Sequence, residues 1–401
     1  MIARKSPMEP STPTLPHIQL PAEQGRRAGA SAAPALPGDD FQDSDQQKPR
    51  ILHLGLDWGT ARTVMIASWA GETTPVHNET LPTLVGYAKD GIVENLLPGN
   101  PEVLFAQDAV RHRLHLKMAQ PVVNGMMGDA KAARLFAEHL RERLPHGDHV
   151  QIRAVVGIPC GCDAQAREDF REALDSLVDG CILIPKPFLA AIGARQNPPP
   201  ADVNYVDPIR NSLLVDLGAG ATDVCVIQGC YPSAVEQIHI CGGGDALDEH
   251  LQAGLQAAYP DIQISPLKLR ELKEQSAWAG TPEARPIAEL FVRGRLQRVD
   301  MTQIMGDSCH RFLEKIAQAM IQLIGSADVE TAPELISNIL LTGGGSKIRN
   351  ICRELERLLH SRGIEQAKVR LLGEAVEGYV AVGALKASQQ ARENQWQLSL
   401  K

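Results

Sequence analysis

Short apolar runs and amphipathic stretches take turns along the 401 residues of this chain. Runs rich in Val, Ile and Leu at 51–57, 62–69, 152–158, 181–184, 234–240, 338–342 and 368–372 are bounded by Gly, Pro or Asp and predict strands. Residues 212–228 predict two more, folded about a Gly turn. Helical spacing of apolar residues fills the gaps. Residues 129–144 predict an amphipathic helix that opens at Asp129 and stops before Pro145. Further helices are expected at 164–177, 188–194, 246–258, 266–278, 307–325, from Ser346 through Leu359, and at 374–388. Strands alternating with helices imply an α/β fold.

Two stretches interrupt that rhythm. Residues 82–120 carry short mixed segments with Pro and Gly, and 260–305 do the same later, so each reads as a small insert. Residues 1–49 are rich in Pro, Ala, Gln and Ser with no sustained period, which predicts a disordered extension. The run Asn197 to Pro200 breaks any regular element and marks a boundary. The expected division is an extension at 1–49, a first lobe at 50–200, a second lobe at 201–372, and a C-terminal helix with a tail at 373–401 that returns to the first lobe.

The two lobes share a motif. Asp57, Gly59 and Thr63 repeat as Asp216, Gly218 and Thr222, each set where one apolar run ends and the next begins. A strand, a tight Gly turn and a second strand make a hairpin with bare amides at its tip. Glycine lets such a tip approach phosphate closely. An acid two residues before the Gly can hold hydrated Mg²⁺, which keeps most of its waters and needs few protein carboxylates. Two facing hairpins would grip a polyphosphate from both sides, with Asp57 and Asp216 as metal ligands through water. The competing interpretation, an Asp that only accepts turn hydrogen bonds, explains one copy better than two.

Composition narrows the function classes. Hydrophobic residues make up 44% and aromatics only 4%, so aliphatic side chains must build the core. The net charge of −8 argues against non-specific nucleic-acid or anionic-membrane binding. No apolar run reaches the roughly 18 residues of a spanning helix, and Arg4 and Lys5 are not followed by the apolar region of a secretory signal. The eight Cys are scattered, with Cys225, Cys241 and Cys352 among apolar neighbours. They are expected to be reduced, mostly buried thiols of a cytoplasmic protein.

A third glycine element, Gly343, Gly344 and Gly345, follows a strand and precedes Ser346, a natural helix cap, and Lys347. Backbone there can lie flat against a base or ribose. On the helix near residue 272, Arg270, Lys273 and Glu274 share one face. Glu274 can accept from ribose hydroxyls while Arg270 and Lys273 frame the base; a solvated charged face is the plainer alternative.

The order of hairpin, hairpin, Arg-x-x-Lys-Glu and Gly-Gly-Gly resembles the actin superfamily of ATPases. Within it the chain is most similar to the bacterial actins of the MreB and MamK type, through Gly157 to Pro159, Asp216 to Asp223, Lys273 to Gln275, Gly280 to Pro282 and Gly343 to Arg349. The resemblance spans about residues 51–388. It implies a duplicated actin-like fold, two lobes each with a large and a small subdomain, ATP and Mg²⁺ in the cleft, and filaments built from copies of the chain. The nucleotide site it implies comprises Asp57, Gly59, Thr60, Ala61, Arg62, Asp216, Gly218, Ala219, Gly220, Thr222, Gly243, Gly244, Arg270, Lys273, Glu274, Gly343, Gly344, Gly345, Ser346 and Lys347. Its MamK-like branch points to organelle (magnetosome) positioning, with an organelle- or membrane-associated adaptor protein as a further partner.

One position departs from the family. Bacterial actins place a Glu-Pro pair after the strand that follows the Ile-Pro segment, and that Glu positions the attacking water. Here Lys186 precedes Pro187. An ammonium has donors and no acceptor, so it cannot orient or deprotonate water as a carboxylate does. It can clamp a terminal phosphate as a point charge. Asp163 and Asp57 are the nearest substitutes. Slow or absent ATP hydrolysis is expected, and a monomeric nucleotide-dependent adaptor on the same fold is the alternative to a filament.

Overall fold

The computed structural model describes residues 49–89, 97, 99–147, 149–196, 205–282, 285–374 and 376–398. The Pro run ending at Pro200, and all of the expected extension but its last residue, lie outside the described residues. Gln47–Lys401 form a compact unit of their own.

In that unit β1 (Arg50–Trp58), β2 (Arg62–Trp69) and β3 (His77–Pro82) form a meander. The first insert holds β4 (Val85–Ala88), β5 (Val103–Phe105), α1 (Ala106–Arg111) and β6 (Leu116–Ala119), and the small hairpin β7 (Val122–Val123) and β8 (Met126–Met127) follows it. Next come α2 (Ala130–Arg143), β9 (Val150–Ile158), α3 (Ala164–Leu174), β10 (Gly180–Pro185) and α4 (Lys186–Ala194). The pattern restarts with β11 (Ser212–Leu217), β12 (Ala221–Ile227), β13 (Gln237–Cys241) and α5 (Gly244–Ala258). The second insert contains β14 (Ile262–Gln263), α6 (Pro266–Ser276), β15 (Ile287–Val292) and β16 (Arg295–Asp300). The chain continues through α7 (Thr302–Ser326), α8 (Ala332–Ser337), β17 (Ile339–Thr342), α9 (Ile351–His360), β18 (Val369–Leu371), α10 (Tyr379–Gln390) and β19 (Gln397–Leu398).

Two mixed sheets carry the repeat. One has the order β19-β10-β9-β1-β2-β3 and the other β13-β12-β11-β17-β18. Strands β3-β2-β1-β9-β10 therefore match β13-β12-β11-β17-β18 one for one. The directions match as well: β1–β2 and β2–β3 are antiparallel like β11–β12 and β12–β13. Likewise β1–β9 and β9–β10 are parallel like β11–β17 and β17–β18. The duplication seen in seven-residue motifs extends to whole sheets.

Each sheet buries an aliphatic face under helices. Leu52, Leu54, Leu56 and Val156 pack with Phe136, Leu140 and Phe170 of α2 and α3. Leu213, Val215 and Leu341 pack with Leu251 of α5, Phe312 and Ile316 of α7 and Leu355 of α9. A third cluster joins Val155, Leu189, Leu214, Leu340 and Val380, so α4 and α10 lie where residues of both sheets meet. Burying each such side chain contributes about 1.5–3 kcal/mol. The site below is anchored to strands and helices held by these cores.

Several boundaries differ from the sequence expectations. Helix α4 starts at Lys186 rather than 188, because Pro187 sits in its first turn, where a missing N–H costs nothing. The strand expected at 234–240 opens as a single turn, Ala234–Glu236, closed by a Ser233–Glu236 capping box. Helix α7 begins at Thr302, ahead of 307, and α10 only at Tyr379. The second insert, expected to hold only a helix, also holds the hairpin of β15 and β16, in which alternate residues of β15 are buried. Cys241 is exposed at the end of an edge strand and Cys352 is only half-buried, so these two thiols are not core residues.

Candidate functional site

The two motif hairpins adopt one turn. The Gly59 N–H donates to the Arg62 carbonyl at 3.0 Å, and the Gly218 N–H to the Ala221 carbonyl at 2.9 Å. A Cβ at Gly59 would lie 2.7 Å from the Arg62 oxygen, and one at Gly218 2.9 Å from the Ala221 oxygen. Any larger residue would force the turn open. Both glycines thus shape the tips, and their own amides are spent inside the turns. The amides of Thr60, Ala61, Ala219 and Gly220 carry no hydrogen bond among the described residues. The tips also meet: buried Thr60 accepts from the Gly125 N–H at 3.0 Å and lies so close to Gly220 that a Cβ there would be 2.4 Å from the Thr60 hydroxyl oxygen. Behind the tips Thr63 shares a hydrogen bond with Thr83 at 2.8 Å, while the hydroxyl of fully buried Thr222 has no partner.

Register places the acids at matching positions. Asp57 faces Val64 and Gly157 across β2 and β9, and Asp216 faces Asp223 and Thr342 across β12 and β17. Lys186, at the start of α4, is buried among them. Its ammonium lies 2.9 Å from Asp57 Oδ1 and donates to the Trp58 carbonyl at 3.1 Å. The Asp57 contact is a close, buried ion pair. Burial is the largest influence on Lys186 and works against its charge, but Asp57, Asp216 and Asp223 together hold its pKa above the ordinary lysine value. Burial, followed by the charge of Asp57, pushes the Asp216 carboxyl up to about 7. Asp223 is satisfied separately, accepting from the Cys160 N–H at 2.9 Å and pairing with His239 Nδ1 at 2.8 Å.

This arrangement tests the expected Mg²⁺. A hydrated divalent ion at Asp57 would have to sit where the Lys186 ammonium already contacts that carboxylate. Asp57 therefore does not fit a hydrated divalent ion, while Asp216 makes no ion pair among the described residues. Asp163 offers no substitute base either, because its carboxylate caps α3 by accepting from the Ala166 N–H at 2.8 Å.

The third glycine element packs onto the second hairpin. Gly343 has φ 80°, and a Cβ there would fall 2.4 Å from Asp216 Oδ1. Ser346 does not cap a helix. Residues Gly344–Lys347 make a single 3-10 turn, the Ser346 hydroxyl donates to the Gly343 carbonyl at 2.6 Å, and α9 starts only at Ile351 after a left-handed Asn350. A Cβ on Gly345 would press on Leu217, and one on Gly344 would approach the Glu377 carboxylate. Lys347 and Arg62 each reach Glu377 at 2.8 Å, so one carboxylate ties the first hairpin to the third glycine turn. Glu377 had no signal in the sequence, since its partners lie 30 and 315 residues away.

The remaining expected residues are engaged differently. The Gly244 N–H donates to the Gly218 carbonyl at 3.0 Å, and a Cβ at Gly243 would meet that same carbonyl. Both glycines brace the second hairpin, and the Gly244 amide is spent on it. Lys273 donates to the Gly244 carbonyl at 2.7 Å and pairs with Asp248 at 3.0 Å. Arg270 pairs with Asp245 at 2.7 Å. These cations lock α6 to α5, and of the three only exposed Glu274 is left to accept from a ligand.

Comparison with known proteins agrees with the two-sheet geometry. The family described as MreB/Mbl protein matches residues 52–395. The actin-like protein MamK of Paramagnetospirillum magneticum (strain ATCC 700264 / AMB-1) is 27% identical over 328 residues, covering 80% of this chain and 89% of that protein. A solved MamK double helical filament is 24% identical, with a TM-score of 0.76, and covers 85% of this chain and 100% of that one. A non-polymerising MamK mutant bound to AMPPNP is 26% identical, with a TM-score of 0.61 and the same coverage.

Proposed function

This chain belongs to the MreB/Mbl protein family and has the actin-like fold, and we propose that it is an ATP-binding cytoskeletal protein that polymerises into filaments. The observation that carries the nucleotide site is the pair of identical glycine turns whose tips meet at Thr60 and Gly220, with four bare amides beside them. Those amides are donors for phosphate oxygens. The Gly343 turn, packed against Asp216, offers backbone to the nucleoside, and exposed Glu274 is placed to accept from ribose hydroxyls. No helix among the described residues is long and apolar enough to cross a membrane, which suits a cytoplasmic filament. By analogy with MamK, the filament positions an organelle, the magnetosome, through an adaptor protein.

Hydrolysis is slow or impaired in this proposal. Lys186 stands where the family carries its water-positioning Glu, and its ammonium is bound to Asp57 and the Trp58 carbonyl. It has no lone pair with which to accept from water. The same observation favours a second reading, a monomeric adaptor that binds nucleotide without turning it over. Electron microscopy and pelleting with ATP separate the two. Filaments support the first, and a protein that stays monomeric while ATP raises its melting temperature supports the second. A melting temperature that ATP leaves unchanged removes both.

A further inference from the structure

We propose that the Lys186 ammonium is the built-in counter-cation for the nucleotide's phosphates, so that this protein binds ATP as the free anion without a divalent ion. The inference rests on the nucleotide site proposed above and concerns what neutralises the phosphates there.

Three observations converge. First, Lys186 is in the right place. Its Nζ touches Asp57 Oδ1 at 2.9 Å and the carbonyl of Trp58 at 3.1 Å, immediately before the Gly59 turn. A Cβ added to Gly59 would come within 3.8 Å of that nitrogen. The cation therefore sits at the root of the tip that presents bare amides. Second, it is fixed. Lys186 is buried at the start of α4, whose position is set by Leu189 and Ala190 in the core shared by residues of both sheets. A cation held by buried backbone has no hydration shell to shed when phosphate arrives, whereas Mg²⁺ dehydrates reluctantly. Third, it is unsaturated. An ammonium has three N–H donors; the Trp58 carbonyl takes one and Asp57 attracts a second, which leaves one for a phosphate oxygen.

The same residues disfavour the alternative. Of the two carboxylates that would hold a hydrated ion, Asp57 is already contacted by the ammonium, and buried Asp216 packs its Oδ1 against the Gly343 turn. Adding a divalent ion beside a fixed like charge in a buried site is unfavourable, because charges a few ångströms apart interact strongly where water is excluded. One lysine thus removes the acceptor that hydrolysis needs and supplies the positive charge that binding needs.

Titration calorimetry tests this on the full chain with two ligands, ATP in excess EDTA and ATP with MgCl₂. The expected result is a Kd in EDTA within about threefold of that with Mg²⁺. Lys186→Met, checked for folding by circular dichroism, is expected to bind ATP in EDTA at least tenfold more weakly than the natural chain and to recover when Mg²⁺ is added. A natural chain that binds at least tenfold more weakly in EDTA than with Mg²⁺ overturns the inference and leaves the nucleotide site standing. No heat of binding under either condition overturns the site itself, and the inference with it.

Discussion

Asp216 should make the folded protein less stable as pH rises, and Asp216→Asn should remove the effect. Burial, reinforced by the charge of Asp57, raises its carboxyl from an ordinary 3.8 to about 7. Between those values the folded chain binds a proton that the unfolded chain has lost. The Asp216 contribution to stability is therefore largest below pH 4, declines as pH climbs toward 7, and is flat above it. The shift is about 3 units, and at 1.36 kcal/mol per unit it sets a ceiling of about 4 kcal/mol. Neighbouring groups adjust in a coupled site, so about 1–3 kcal/mol is expected. Asparagine keeps the shape and carries no charge. At pH 8, in EDTA and without nucleotide, Asp216→Asn should melt about 2–6 °C above the natural protein. The gap should shrink to a small fraction of that as pH approaches 4. Thermal melts followed by circular dichroism across that range measure it. An asparagine variant that melts lower at pH 8, or a gap that does not change with pH, would refute the argument that Asp216 is held at a cost.

Other consequences can be measured independently. Lys186→Glu should speed phosphate release under polymerising conditions, by up to about 10²-fold if the carboxylate orients water, since general-base catalysis is typically worth 10²–10⁴-fold. Fast release by the natural protein that this variant slows would mean Lys186 does not occupy the water-facing position. Gly343→Ala should destabilise the fold by about 1–3 kcal/mol in urea, because it combines a positive φ with an overlap on Asp216; an unchanged midpoint would show that the turn is free to relax. Glu377→Gln frees Arg62 and Lys347, which are both about half exposed, so stability should change by less than about 1 kcal/mol. Release of a fluorescent ATP analogue should nevertheless accelerate, because the carboxylate ties two walls of the site together, and an identical release rate would remove that role.

Much of the architecture is written locally. Asp129 caps α2 by accepting from the Ala132 N–H at 2.8 Å, at the position where the apolar period begins. The Asp-x-Gly-x-x-x-Thr motifs are legible because each glycine answers a constraint within its own turn, the carbonyl three residues on. Short-range patterns of this kind survive without any knowledge of the rest of the fold. Boundaries were less legible wherever a tertiary contact decided them. Ser346 looks like a cap in sequence, yet its hydroxyl turns back to Gly343 and the helix waits until Ile351.

From its own residues the chain determines two related α/β halves, a glycine hairpin in each, and a lysine, Lys186, just ahead of Pro187. Those are matters of composition and spacing along one strand or one turn. Only the tertiary structure decides what the lysine does. A sequence cannot show that Lys186, 129 residues beyond Asp57, delivers its ammonium to that carboxylate, or that Arg270 and Lys273 spend their charge on α5. Partner choice depends on where β1, α4 and β11 converge, and α4 is held there by Leu189 packing with Leu214 of β11 and with Val155 of β9, the strand that pairs with β1. In a buried site electrostatics act through distance in space, so separation along the chain carries almost no information about them.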